Sequence, residues 1–183
     1  MDLQISVFLL FILFTAGHSL SCYECKSVTG CADQKLKTCP SGFSQCSSST
    51  AVVQFGYFST KVKIKDCIAA CPSGSMNFGF IKLTTSCCDT DECNVRDARD
   101  PSNIPNGRKC YSCDIQSCSN KLICTGDEDH CITATGTFGG RSMVVKGCAS
   151  KSVCDGIQFD LGVASVSCCE GNLCNSVDQR WEF

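Results

Sequence analysis

Phe58-Ser59-Thr60-Lys61-Val62-Lys63-Ile64-Lys65-Asp66 alternates apolar and polar positions, the period of a half-buried strand. Ile157, Phe159, Leu161 and Val163 alternate in the same way. Glycines stand where hairpins are expected to turn, at Gly56, Gly74, Gly136, Gly139 and Gly140. Beyond the N-terminal apolar run no stretch carries a helical period. The pattern predicts an all-β chain of short hairpins. The exception is Ile5 to Phe14, almost wholly apolar, too short to span a bilayer and suited to a signal h-region. Gly17 and Ser19 supply the small residues before a cut, so residues 1–19 are read as a signal peptide cleaved after Ser19. This signal departs from the usual form in having Asp2 and no Lys or Arg before the apolar run. A buried apolar strand is the alternative.

The cysteines change the picture most. They number 20 among 183 residues, a density typical of disulfide scaffolds in secreted chains. They fall at 22, 25, 31, 39, 46, 67, 71, 87, 88 and 93, and again at 110, 113, 118, 124, 131, 148, 154, 168, 169 and 174. The first set has gaps of 3, 6, 8, 7, 21, 4, 16, 1 and 5, the second 3, 5, 6, 7, 17, 6, 14, 1 and 5. This is a tandem duplication whose unequal gaps mark loops. Each copy is small enough to need cross-links beside its apolar core. Export places the thiols in an oxidising compartment, where they pair. Counting alone leaves about 945 connectivities for ten cysteines. Between the copies, residues 96–109 carry Pro101, Pro105, Gly107 and alternating charges at Arg96, Asp97, Arg99 and Asp100, a linker composition.

Cys22-Tyr23-Glu24-Cys25 and Cys110-Tyr111-Ser112-Cys113 head the two copies. Cys87-Cys88-Asp89-Thr90-Asp91-Glu92-Cys93-Asn94 and Cys168-Cys169-Glu170-Gly171-Asn172-Leu173-Cys174-Asn175 close them. Heads, tails and cysteine order resemble the urokinase-receptor and lymphocyte-antigen (LU, three-finger) family over nearly all of the mature chain. The resemblance implies two tandem, small, disulfide-rich three-finger domains, at 20–95 and 110–176, with 177–183 as a tail. It implies the pairs Cys22–Cys46, Cys25–Cys31, Cys39–Cys67, Cys71–Cys87 and Cys88–Cys93. In the second copy it implies Cys110–Cys131, Cys113–Cys118, Cys124–Cys148, Cys154–Cys168 and Cys169–Cys174. It gives Asn94 and Asn175 the role of tying each domain's end to its disulfide knot. The second finger then runs between Cys46 and Cys67, or Cys131 and Cys148, and the third between Cys71 and Cys87, or Cys154 and Cys168.

Candidate chemistry adds little. Zinc or thiol work at the Cys-x2-Cys pairs requires reduced sulfur, and the repeat uses every cysteine. After signal removal His130 is the one histidine left, too little for a Ser-His-Asp set, and it reads as a solvated surface residue. No phosphate loop, metal site or cofactor is expected, and the formal charge of −2 gives no reason to expect nucleic acid. No Asn-x-Ser/Thr sequon and no hydrophobic C-terminal anchor signal is present.

Two features read as candidate binding surfaces. Phe55, Tyr57 and Phe58 in finger two, with Met76, Phe78 and Phe80 in finger three, form an aromatic and methionine cluster, suited to protein or lipid contact. The alternative is packing on a neighbouring finger or the second domain. Lys61, Lys63 and Lys65 share one strand face, open to an acidic partner or simply solvated. Arg141, Met143 and Val145 take their place in the second copy, which suggests different roles for the two. The expected function is that of a secreted, non-enzymatic protein-binding protein. Two domains without an anchor resemble the gamma-type phospholipase A2 inhibitors, which implies capture of a secreted phospholipase. The alternatives are a receptor-like or adhesion protein of the urokinase-receptor type, or a toxin-like modulator of a receptor.

Overall fold

The computed structural model describes residues 19–114, 116–138, 141–156 and 163–176. The expected signal peptide through His18, Gly139, Gly140, Ile157, Phe159, Leu161 and the tail at 177–183 lie outside the described residues.

In the first copy, β1 (Ser21–Ser27) pairs with β2 (Lys35–Thr38), and β3 (Gln45–Phe55) with β4 (Phe58–Ile68). β5 (Gly74–Asn77) pairs with β6 (Ile81–Cys88), and a 3-10 turn follows at Cys93–Val95. In the second copy, β7 (Pro105–Ser112) and β8 (Asn120–Thr125) form a separate two-stranded sheet. β9 (His130–Phe138), β10 (Arg141–Ala149), helix α1 (Lys151–Gly156) and β11 (Val163–Cys169) follow.

Three local findings depart from the sequence pattern. α1 spans six residues, less than two turns, so no period can announce it. Gly136 sits inside β9, opposite Met143 and Val163, rather than in a turn. β7 begins at Pro105, inside the segment read as linker. Gly56 does turn a hairpin: Phe55 pairs with Phe58, and Gly56 takes φ +59° where side chains are disfavoured.

The interior of each copy is sulfur. Cys22, Cys39, Cys46 and Cys67 form one buried cluster, and Cys110, Cys124, Cys131 and Cys148 the other. The bonds join Cys22–Cys46, Cys25–Cys31, Cys39–Cys67, Cys71–Cys87 and Cys88–Cys93 in the first copy. They join Cys110–Cys131, Cys113–Cys118, Cys124–Cys148, Cys154–Cys168 and Cys169–Cys174 in the second. Each bond typically stabilises a small domain by about 2–4 kcal/mol, chiefly by restricting the unfolded chain.

The two copies share one sheet of nine strands, ordered β11-β9-β10-β5-β6-β3-β4-β1-β2. The junction is short: Cys148 opposes Asn77 and Ala149 opposes Met76. On one face Val153 of α1, Ile132 and Ala149 pack with Met76 and Phe78. On the other, Asn77 is wholly buried beside Glu128, itself 1% exposed. The Glu128 carboxylate accepts hydrogen bonds from the Thr125 amide at 2.7 Å and from Asn77 Nδ2 at 3.5 Å. Burial raises its pKa above the ordinary glutamate value.

Candidate functional site

Residues opposite one another in antiparallel strands point to the same side, so the register sorts the first copy's sheet into two faces. One face carries Ser48, Thr50, Val52 and Gln54 of β3, Ser59, Lys61, Lys63 and Lys65 of β4, and Lys82, Thr84 and Ser86 of β6. The other carries Ala51, Val53 and Phe55, then Phe58, Val62 and Ile64, then Ile81 and Leu83. One row crosses five strands and is apolar throughout: Ala149, Met76, Leu83, Ala51 and Val62.

The polar face is strapped. Residues 95–101 cross it, with the Ala98 amide donating to Ser48 Oγ and its carbonyl accepting from Thr50 Oγ1, both at 2.8 Å. Asp97 bridges Lys63 at 2.6 Å and Lys65 at 3.0 Å, and Asp100 pairs with Lys61. Lys65 is 2% exposed and also donates to Gln34 Oε1 and to the Val95 carbonyl. The lysine stripe is therefore graded rather than uniformly solvated, with Lys65 buried, Lys63 half-buried and Lys61 exposed, and each ammonium faces an acid. The acids of the presumed linker already occupy it. Counting back two residues from Cys67 and Cys148 also aligns Lys65 with Lys146, a correspondence hidden when Arg141, Met143 and Val145 are compared with the stripe. Lys146 donates to the Asn175 and Ser176 carbonyls at 2.8 and 3.1 Å, holding its own domain's end as Lys65 holds Val95.

Both cations hold the Asp97 pKa below its ordinary value, Lys63 first and Lys65 after it. A depressed folded pKa supplies stability above the unfolded value and loses it as pH falls through the folded one. Replacing Asp97 with Asn should therefore lower the melting temperature at neutral pH and reduce the further loss on acidification. Melting curves across the carboxylate range check this.

Among the described residues the apolar face has no such strap. α1 roofs its Met76 end, where a side chain on Gly74 would meet Ser150 Oγ at 2.2 Å and Val153 Cγ2 at 2.8 Å. Among the described residues no helix or second sheet packs over Val53, Val62, Ile64, Ile81 and Leu83; each of the five is half-buried or exposed. The structure thus divides the aromatic cluster. Met76 and Phe78 are core at the junction. Phe55, Tyr57 and Phe58 form the bare hairpin tip, at 83, 107 and 82% exposure, with Phe80 beside them at 49%.

Asn94 and Asn175 make matching contacts. Asn94 Oδ1 accepts from the Tyr23 amide, and its Nδ2 donates to the Tyr23 and Ser47 carbonyls. Asn175 Oδ1 accepts from the Tyr111 amide, and its Nδ2 donates to the Tyr111 and Ile132 carbonyls. Two sulfur triads converge, Cys22-Cys39-Cys67 and Cys110-Cys124-Cys148, but all six atoms are half-cystines rather than thiolate ligands. His130 is nearly buried between Asp129 at 2.9 Å and Glu170 at 3.2 Å, not solvated as its acidic neighbours suggest.

The u-PAR/Ly-6 domain family matches residues 18–96, and the snake toxin and toxin-like protein family matches residues 108–175. The chain is a two-domain member of the u-PAR/Ly-6 family. The urokinase plasminogen activator surface receptor of Rattus norvegicus is 31% identical over 192 residues, covering 88% of this chain and 56% of that protein. The receptor of Bos taurus is 37% identical over 121 residues, covering 57% of this chain and 36% of its own length. Ly6/PLAUR domain-containing protein 3 of Rattus norvegicus is 26% identical over 203 residues, covering 90% and 57%. The chain thus spans about half the length or less of these curated relatives. U-PAR/Ly-6 proteins are extracellular or cell-surface proteins, and no described helix is long and apolar enough to cross a membrane.

Proposed function

We propose that this u-PAR/Ly-6 protein is a secreted, non-enzymatic receptor-type protein that captures an extracellular protein on the aliphatic part of its first domain's apolar face, around Val62 and Leu83 and short of Phe55 and Phe58. The observation that carries this reading is the row Leu83-Ala51-Val62 with Ile81, Val53 and Ile64 around it. Its far end is roofed by the second domain's helix, and no other described helix or sheet covers the rest. Half-buried aliphatic side chains on a sheet held rigid by disulfides lose little entropy on binding. The names of the urokinase plasminogen activator surface receptors support a receptor-type reading. No feature of the face favours a phospholipase A2 over another extracellular protein, so a secreted phospholipase serves as one bait among several.

The test is affinity capture from extracellular fluid with mass spectrometry, using the wild type and Val62→Lys with Leu83→Lys. The double variant should keep its melting temperature within a few degrees, because both side chains lie on an open face. Residues central to a contact typically cost more than about 1 kcal/mol each when lost, so binding of the specific partner should fall about tenfold or more. Capture that survives both lysines would remove this face as the site.

A further inference from the structure

The hairpin tip ends the apolar face, beyond Val53 and Thr60, and its chemistry points to a different occupant. From Gln54 to Thr60 there is no charged residue. Phe55, Tyr57 and Phe58 are each more than four-fifths exposed, so they neither pack on the sheet nor cover one another. The Gln54 amide donates to the Phe80 carbonyl at 2.8 Å, which places Phe80 beside the base of the tip. The result is an end of four exposed rings, carried on a turn that Gly56 allows to be tight.

Behind the rings the first charges are Lys61 and Lys82. Both oppose Val52, one on each side, so they stand in one row across the sheet. From Val52 to Phe55 is three residues along the strand, or about 10 Å. That matches the depth, about 5–10 Å, to which interfacial segments bury apolar side chains below the headgroups. Rings at the end and ammonium groups about 10 Å behind is the order of a lipid interface, acyl boundary first and phosphates next. Lys61 is already paired with Asp100, and Lys82 donates to the Ser102 carbonyl and Asn103 Oδ1. The attraction is therefore carried by the rings rather than by net charge.

Among the described residues the strands of the two domains pair at Asn77 and Met76, away from this tip. β6 is antiparallel to β3, β5 to β6, and β10 to β5. Three reversals leave β10 opposed to β3. Since β3 runs towards its turn and β10 away from its own, the second hairpins of both domains open at the same end, spread by the sheet's twist. Met143, near the turn end of β10, is 52% exposed. A protein hot spot, by contrast, sits at the centre of a patch whose rim excludes water, and side chains as exposed as Phe55, Tyr57 and Phe58 have no such rim.

The geometry points to the Phe55-Gly56-Tyr57-Phe58 tip as an interfacial membrane-docking element for zwitterionic lipid surfaces, beyond the protein-capturing aliphatic part of the face. The probe is co-sedimentation of the full chain with phosphatidylcholine vesicles at low and high salt. Binding should be nearly salt-independent, and F55S/Y57S/F58S should weaken it by about tenfold or more, with melting temperature and partner capture unchanged. Y57W should show blue-shifted emission on vesicles, quenched by brominated acyl chains. V62K/L83K should sediment as the wild type does, so failure of the capture face and failure of the docking tip are read separately. Three results would overturn the assignment: no wild-type binding to vesicles, equal binding by the triple serine variant, or loss of partner capture by that variant.

Discussion

Gly147→Ala should break the contact between the two domains while leaving both disulfide frameworks in place. A Cβ at this position would lie 2.1 Å from the Asn77 carbonyl oxygen, 3.0 Å from its carbon and 3.0 Å from Phe78 Cα. All three are backbone atoms of the first domain, so no rotamer change relieves the clash. Ordinary overpacking costs about 1–3 kcal/mol. Here the overlap is with main chain, and the bonded register between β10 and β5 covers two residue pairs only. The cheapest relief is to part the strands. Amides around Met76, Asn77 and Cys148 should then lose hydrogen-exchange protection, and the radius of gyration should rise. Far-ultraviolet circular dichroism should stay close to wild type, because each domain keeps its own knot. The released surface includes Asn77 and Glu128, whose burial depends on the closed junction. The raised pKa of Glu128 should relax towards its ordinary value in the same variant. By linkage, a carboxyl with a raised folded pKa adds stability below its unfolded pKa and loses it as pH rises through the folded one. The wild-type junction should therefore be tighter in mild acid than at neutral pH, and Gly147→Ala should lose that trend. An unchanged exchange pattern would mean that the sheet does not run through the boundary.

Sequence reasoning reached the domains and not the way they meet. The doubled cysteine spacing announced a repeated unit, and the alternation of Phe58 to Asp66 announced β4. The residues that join the copies carry no such signal. Ser75, Asn77 and Gly147 are small or polar, and their role lies in letting two backbones approach. Met76 and Phe78 have the same composition as the tip, but register turns them onto Ala149 and Val153, while Phe55 and Phe58 end in solvent. The acids at Asp97 and Asp100 looked like the solvated charges of a linker. Their partners, Lys61, Lys63 and Lys65, lie more than thirty residues earlier in the chain, a separation that local pattern cannot bridge. Alternation does predict that β4 has a lysine face and an aliphatic face. Which of them stays open depends on the path of residues 95–101, and that is decided in three dimensions.

Asn94→Ala and Asn175→Ala should each destabilise their own domain by about 2–4 kcal/mol, the largest effect expected of any single side chain outside the cysteines. Each asparagine is nearly buried, at 3 and 6% exposure. Each satisfies three main-chain groups with bonds of 2.8–3.1 Å. Alanine leaves those groups without partners in a site too crowded for full solvation, and a buried unsatisfied group costs about 1–3 kcal/mol. The groups span the domain: Asn94 joins the Tyr23 end of β1 to Ser47 of β3, and Asn175 joins Tyr111 of β7 to Ile132 of β9. Aspartate is the sharper probe. It keeps the shape and the acceptor for the Tyr23 or Tyr111 amide, but sets a second acceptor against two carbonyl oxygens. The expected order of melting temperatures is wild type, then alanine, then aspartate, with the aspartate variant partly recovering at a pH low enough to protonate it. A mere space-filling role would give the opposite order, with aspartate above alanine. The adjacent bonds Cys88–Cys93 and Cys169–Cys174 keep each chain end tethered. The loss should therefore appear as local opening of β1 or β7 by hydrogen exchange before it appears as global unfolding.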